Sequence, residues 1–173
     1  KHGDDIKRLF DVDVVVPTVP FPRIPLAEAI DIVAARGHEI ARGGDMDPEG
    51  ERQIAAHVFE KYGHEFVFLT DYPSTVRPFY HMRHADNDAL TNSYDLIWRG
   101  TEITTGAQRE HRVEKLIEQI KSKGLEPEGL QTYVDFFRYG APTHGGFGMG
   151  LLRVLMLLLH QPNIREVGYL FRG

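Results

Sequence analysis

Ser93-Tyr94-Asp95-Leu96-Ile97-Trp98-Arg99-Gly100-Thr101-Glu102-Ile103-Thr104-Thr105 decides the fold class. Two runs rich in β-branched and aromatic residues flank Arg99-Gly100, a dipeptide suited to a tight turn, so the stretch reads as a strand that pairs back on itself. Upstream, Glu65–Thr70 is a short apolar run closed by Asp71-Tyr72-Pro73-Ser74. Val76–Met82 is a second such run, followed by a polar loop over 83–91. Successive strands joined by short turns predict an antiparallel sheet.

Helical patterns lie outside this block. Pro25 opens one, with Leu26, Ile30, Val33 and Ala34 at helical spacing until Gly37. Another starts at Asp47-Pro48, carries Ile54, Ala55, Val58, Phe59 and Tyr62 on one face, and stops at Gly63. The spacing predicts further helices over 109–123 (Val113, Leu116, Ile117 and Ile120 inward) and 127–139. Pro17, Pro20 and Pro22 mark 1–24 as a linker or edge segment, and 25–173 as the folded unit. The fold class is therefore α+β, an antiparallel sheet flanked by helices.

Near the C-terminal end, His144-Gly145-Gly146-Phe147-Gly148-Met149-Gly150 runs into Leu151-Leu152-Arg153 and a leucine-rich segment. The glycines suit a strand against which a flat ligand can lie. The apolar run is shorter than the roughly 20 residues that cross a bilayer, so it reads as a buried helix. Arg153, in its first turn, suits either a structural ion pair or an anionic or aromatic ligand.

Composition narrows the function. A length of 173 residues suits one domain. A net charge of −5 argues against a basic nucleic-acid footprint over the whole unit. Cysteine is absent, which excludes disulfides, thiol nucleophiles and cysteine zinc sites and fits a cytoplasmic protein. Lys1–Asp13 has no apolar core of a signal peptide, and nothing predicts membrane association.

Asp95 and Glu102 sit on the two arms of the hairpin, with Thr105 beyond. Two carboxylates and a hydroxyl facing one way suit Mg²⁺, a hard cation that shares its oxygen ligands with phosphates; the plain alternative is solvated acid near a turn. Arg109, after Gly106-Ala107-Gln108, suits a carboxylate ligand or a surface ion pair. His57, His64, His81 and His84 match no zinc spacing and read as surface histidines, and Lys115, Lys121 and Lys123 as a solvated helix face.

Read together, Asp95…Arg99-Gly100-Thr101-Glu102, Gly106-Ala107-Gln108-Arg109, Phe137-Arg138-Tyr139-Gly140-Ala141-Pro142 with the glycine strand, and Asn163-Ile164-Arg165-Glu166-Val167 resemble the class II aspartyl-tRNA synthetases, in particular their archaeal and eukaryotic branch. The likeness covers roughly residues 20–173, and the Gly-Ala-Gln-Arg element looks aspartyl rather than asparaginyl. The resemblance implies a catalytic domain that condenses aspartate with ATP and transfers it to tRNA. It implies Asp95, Glu102 and Thr105 as Mg²⁺ ligands on ATP, Thr105 standing where serine is usual. It implies Arg109 on the aspartate side-chain carboxylate, Gly148 and Gly150 under the adenine, and Arg153 over the adenine and on the terminal phosphate.

Three departures accompany it. Leu152 precedes Arg153 where the family has an acid, and Leu170-Phe171-Arg172 stands where it has Phe-Pro-Arg. The family's first two signature motifs and its anticodon-binding barrel find no match in this sequence. The expectation is thus a C-terminal part of a synthetase catalytic domain, whose intact form is a homodimer through parts outside this chain. The competing readings are a synthetase-like paralogue, such as an ammonia-dependent asparagine synthetase, and a non-catalytic binding module.

Overall fold

The computed structural model describes residues 1–170. Its elements run α1 (Gly3–Phe10), β1 (Arg23–Pro25), α2 (Leu26–Ala35), α3 (Pro48–Tyr62), β2 (Phe66–Thr70), β3 (Ser93–Trp98), β4 (Thr101–Gln108), α4 (Val113–Ser122), α5 (Gln131–Arg138), β5 (Gly145–Met149) and α6 (Leu151–Leu158). Short 3₁₀ turns cover Pro127–Leu130 and Ile164–Val167. The strands lie side by side in chain order, giving an α+β fold around one five-stranded sheet.

The sheet is mixed where an antiparallel one was expected. β1 pairs with β2 in parallel, and the other neighbours are antiparallel. A parallel pair needs a long crossover, which α2 and α3 supply. The end of the proline-rich segment thus becomes an edge strand, a place that tolerates proline because its outward N–H positions need no partner. Val76–Met82 forms no strand. Pro78 interrupts it; an isolated bridge from His81 to Arg109 and the ion pair of Arg77 with Asp95 tie it to the sheet.

Local signals set the helix ends. Asp47 caps α3 by accepting from the Gly50 N–H at 2.7 Å, Pro48 occupies its first turn, and Gly63 ends it with φ +65°. α4 starts four residues later than expected because Arg109 bridges His81, the Glu110 N–H donates to the Tyr80 carbonyl, and the His111 and Arg112 N–H groups donate to the Glu110 carboxylate.

α2 and α3 bury Ala29, Ile30, Val33, Ile54 and Val58 with Val67, Leu69, Tyr72 and Ile97 on one face of the sheet. Phe66, Leu96, Trp98 and Ile103 pack on the other against Val154, Leu157 and Leu158 of α6. A third cluster, Leu116, Ile120, Val134 and Phe137, joins α4 to α5. α6 departs from its expected burial. Only one of its sides meets the sheet, and Leu151 remains 64% exposed.

Candidate active site

A two-residue hairpin pairs Trp98 with Thr101 across Arg99-Gly100, whose φ values of +48° and +79° belong to the tight turn that matches strand twist. Regular pairing from there would set Thr104 opposite Asp95. Glu102 still pairs with Ile97, but the register then shifts between Leu96 and Ile97, so that Thr105 pairs with Asp95. The extra residue is Ile103, a β-bulge. Directly opposed residues share a face, so the bulge moves Thr105, Ala107 and Arg109 onto the face of Asp95 and Glu102. Gly148, opposite Thr105, and Gly146, opposite Ala107, carry the same face across β5.

Glu102 is held from three directions. Its Oε1 accepts from Thr105 Oγ1 at 2.8 Å, its C=O accepts from Arg153 Nη1 at 2.8 Å, and its N–H donates to Glu51 Oε2 at 3.0 Å. Arg153 also lies 3.8 Å from Glu102 Oε1. Burial, and then the neighbouring Glu102 and Asp95 charges, push the Glu51 carboxyl up to about 7 against the hydrogen bond from Glu102 and the pull of Arg153. Glu51 was missed by sequence reading because it looks like one more acid in the first turn of a helix.

Asp95 is 4% exposed and paired with Arg77, Nη2 to Oδ2, at 2.5 Å. The Arg77 guanidinium lies over the Tyr72 ring, 3.6 Å from its centroid. Burial and the Asp95 charge raise the Tyr72 phenol above its ordinary range. Among the described residues Asp95 Oδ1 has no hydrogen-bond partner. Arg77, too, was missed, since nothing local in Val76-Arg77-Pro78 announces a buried charge.

The donor set fits a hard divalent cation. The Glu102 carboxylate, the Thr105 hydroxyl and the spare Asp95 Oδ1 are all oxygens on one face. Among the described residues no group of three metal-binding side chains closes into a cage. Mg²⁺ is a cation that protein carboxylates usually share with substrate phosphates.

Arg109 follows β4 and bridges His81, with its N–H bonded to the His144 carbonyl at 3.0 Å. Its guanidinium lies over Tyr80, 5.0 Å from the ring centroid, and a Cβ on Gly146 would stand 3.3 Å from its Nη2. A half-buried arginine on an aromatic face beside bare backbone is a ready site for an anion. Gly148 has open space where a Cβ would project, and Gly150 leads directly into the helix that carries Arg153. Leu152 is 40% exposed. The Leu170-Phe171-Arg172 departure falls partly outside the described residues.

One of the four histidines departs from the surface set expected. His81 is buried, and burial followed by the Arg109 and Arg77 charges lowers it to about 4. His64 bonds the Thr18 carbonyl, and His84 lies 3.2 Å from Asp71. Lys123 also departs from the expected solvated face, since its ammonium donates to the Ser74 and Thr75 carbonyls at 2.8 Å each.

The tRNA synthetases class II (D, K and N) family model matches residues 5–171. The chain belongs to this family. An aspartate–tRNA(Asp/Asn) ligase from Aeropyrum pernix is 45% identical over 99% of the chain and 39% of its own length. An aspartate–tRNA(Asp) ligase from Pyrococcus furiosus is 42% identical over 96% of the chain and 38% of its own. Among solved structures, the aspartyl-tRNA synthetase of Entamoeba histolytica superposes with a TM-score of 0.85 at 36% identity, covering 95% of this chain and 36% of that one. The asparaginyl-tRNA synthetase of the same organism, in complex with asparaginyl-adenylate, gives 0.84 at 32% identity over 96% of this chain. This class II chain thus spans about two fifths of the length of the curated relatives it matches.

Proposed function

We propose that the chain is part of an aspartate–tRNA ligase, supplying the half of the catalytic sheet that binds aspartate and the ATP phosphates. The observation that carries this is the shared face: the bulge at Ile103 sets Arg109 beside the same surface as Asp95, Glu102 and Thr105. A carboxylate-binding arginine and a phosphate-linked metal site are the two things that aspartate activation requires side by side. Residues 25–173 read as one part of that larger catalytic domain, and the intact protein as a cytoplasmic homodimer that also binds tRNA.

Adenylate formation joins a carboxylate oxygen of aspartate to the α-phosphorus of ATP and releases pyrophosphate. Arg109 fits the side-chain carboxylate of aspartate, which fixes which of the two carboxylates is left free to attack. Glu102 and Thr105, with Asp95 behind them, would hold Mg²⁺, which when bound draws charge from the phosphates. Gly148 and Gly150 leave bare backbone for the adenine. Arg153 is long, half-exposed and next to Glu102, in reach of a terminal phosphate.

Arg109→Leu in the full-length gene product tests the reading. Removing one partner of a buried charge pair costs about 3–5 kcal/mol, which is a rise in the aspartate KM of about 100-fold or more. ATP binding should persist. An aspartate KM that stays near the wild-type value would overturn the assignment.

A further inference from the structure

Glu102 sits where β4 runs past the end of β5. Pairing between those strands stops at Thr104 and Met149, so among the described residues no strand meets Glu102 on that side. Its two backbone groups are captured by side chains instead. The N–H donates to the carboxylate of Glu51, and the C=O accepts from the guanidinium of Arg153. The bond from the Arg153 guanidinium is charge-assisted, a kind roughly twice as strong as a neutral one.

The two holds differ in firmness. Arg153 reaches in with a side chain 48% exposed, from the exposed first turn of α6. Glu51 comes from a helix end that is wedged in place. A Cβ on Gly50 would lie 2.4 Å from Met46 Sδ and 2.7 Å from Ile40 Cδ1, so the chain on either side is in close contact there. One residue on, the Arg52 backbone rests against the hairpin turn, and a Cβ on Gly100 would lie 2.9 Å from Arg52 Cα. The start of α3 is thus docked directly on the hairpin that bears Glu102.

We propose that Glu51 is a positioning residue: from α3 it anchors the Glu102 peptide and so fixes the Glu102 carboxylate beside Thr105. This deepens the reading of the site given above. Arg153 faces ligand and is free to exchange its carbonyl partner for a phosphate. Glu51 is the hold that persists when it does.

Two measurements on the full-length gene product test the proposal. Hydrogen–deuterium exchange, resolved to the fragment containing Glu102, reads the hydrogen bond itself. Glu51→Ala should speed exchange there by about tenfold while β2 amides keep their rates, and Glu51→Gln, which retains an acceptor oxygen, should stay near wild type. The second measurement is the Mg²⁺ concentration for half-maximal aspartate-dependent ATP–pyrophosphate exchange. It should rise by about fivefold or more in Glu51→Ala, with the aspartate KM unchanged and with rescue in Glu51→Gln. Unchanged exchange at Glu102 in Glu51→Ala, an aspartate KM that rises in step with the Mg²⁺ requirement, or Gln behaving like Ala would each overturn it. A wild-type protein without aspartate-dependent exchange would instead sink the functional reading, and the deuterium arm would still decide whether Glu51 holds Glu102.

Discussion

His81, 3% exposed, is set among Arg77, Arg109 and Asp95. Burial and the two guanidiniums outweigh the carboxylate, and the ring stays neutral down to about pH 4, against an ordinary 6.5. Between those values the unfolded chain binds a proton that the folded chain refuses. The contribution is therefore fully present above about pH 6.5 and is lost as the pH falls towards 4, a swing on the order of 3 kcal/mol. Urea titrations at pH 7 and pH 4.5 should show that loss in the wild type and a smaller one in His81→Gln. Equal losses in both would place the acid sensitivity elsewhere. His81 lies near the end of Val76–Met82, which reads as an apolar run, but the histidine itself reads as surface, and it is the pairing of this segment with Arg109 that buries it. Arg77 and Glu51 escaped sequence reading for the same reason: each has a partner far away along the chain, Asp95 and Glu102 respectively.

The hairpin was legible as an element because turn and strand chemistry are local, and so were α2 and α3 with their proline and glycine ends. The bulge was not. Tyr94-Asp95-Leu96-Ile97 and Glu102-Ile103-Thr104-Thr105 contain no glycine or proline to mark it, and it arises from how the two arms pack. Thr105 and Arg109 were grouped with the carboxylates from the residue types and the family likeness, while the geometry that puts them there is the register shift. Gly106, by contrast, has a visible cause in the fold. Tyr94 lies across it, and a Cβ there would stand 2.4 Å from the Tyr94 ring. Gly106→Ala should cost about 1–3 kcal/mol in urea denaturation, most of it recovered in a Tyr94→Ala background. The same cost in both backgrounds would mean that the ring is not what requires the glycine.

At the scale of the whole molecule, the sheet is protected unevenly. β1 lies along one edge; at the other, β5 presents Phe147 at 64% and Met149 at 53% exposure, next to the exposed Leu151 of α6. An open strand edge with apolar side chains is a template for pairing with another chain. The 173-residue chain should self-associate at concentrations around 100 µM, and Met149→Lys should restore a monomer in sedimentation velocity. Unchanged sedimentation in that variant would mean that the chains meet elsewhere. The buried helix expected from the leucine run was misjudged at this scale, because hydrophobicity marks a surface that wants a partner without saying whether one is folded against it. The Ile103 bulge also has a reach beyond its own strand. It acts as a phase shift in β4: the residues after it, to Arg109, have an inside and an outside exchanged by that one residue, and β5 meets them through its pairing with β4. Between Trp98 and Arg109, then, the count of residues carries information independent of their identity. A homologue with one insertion there would keep every residue type of the site and still present Arg109 to the wrong side of its own sheet.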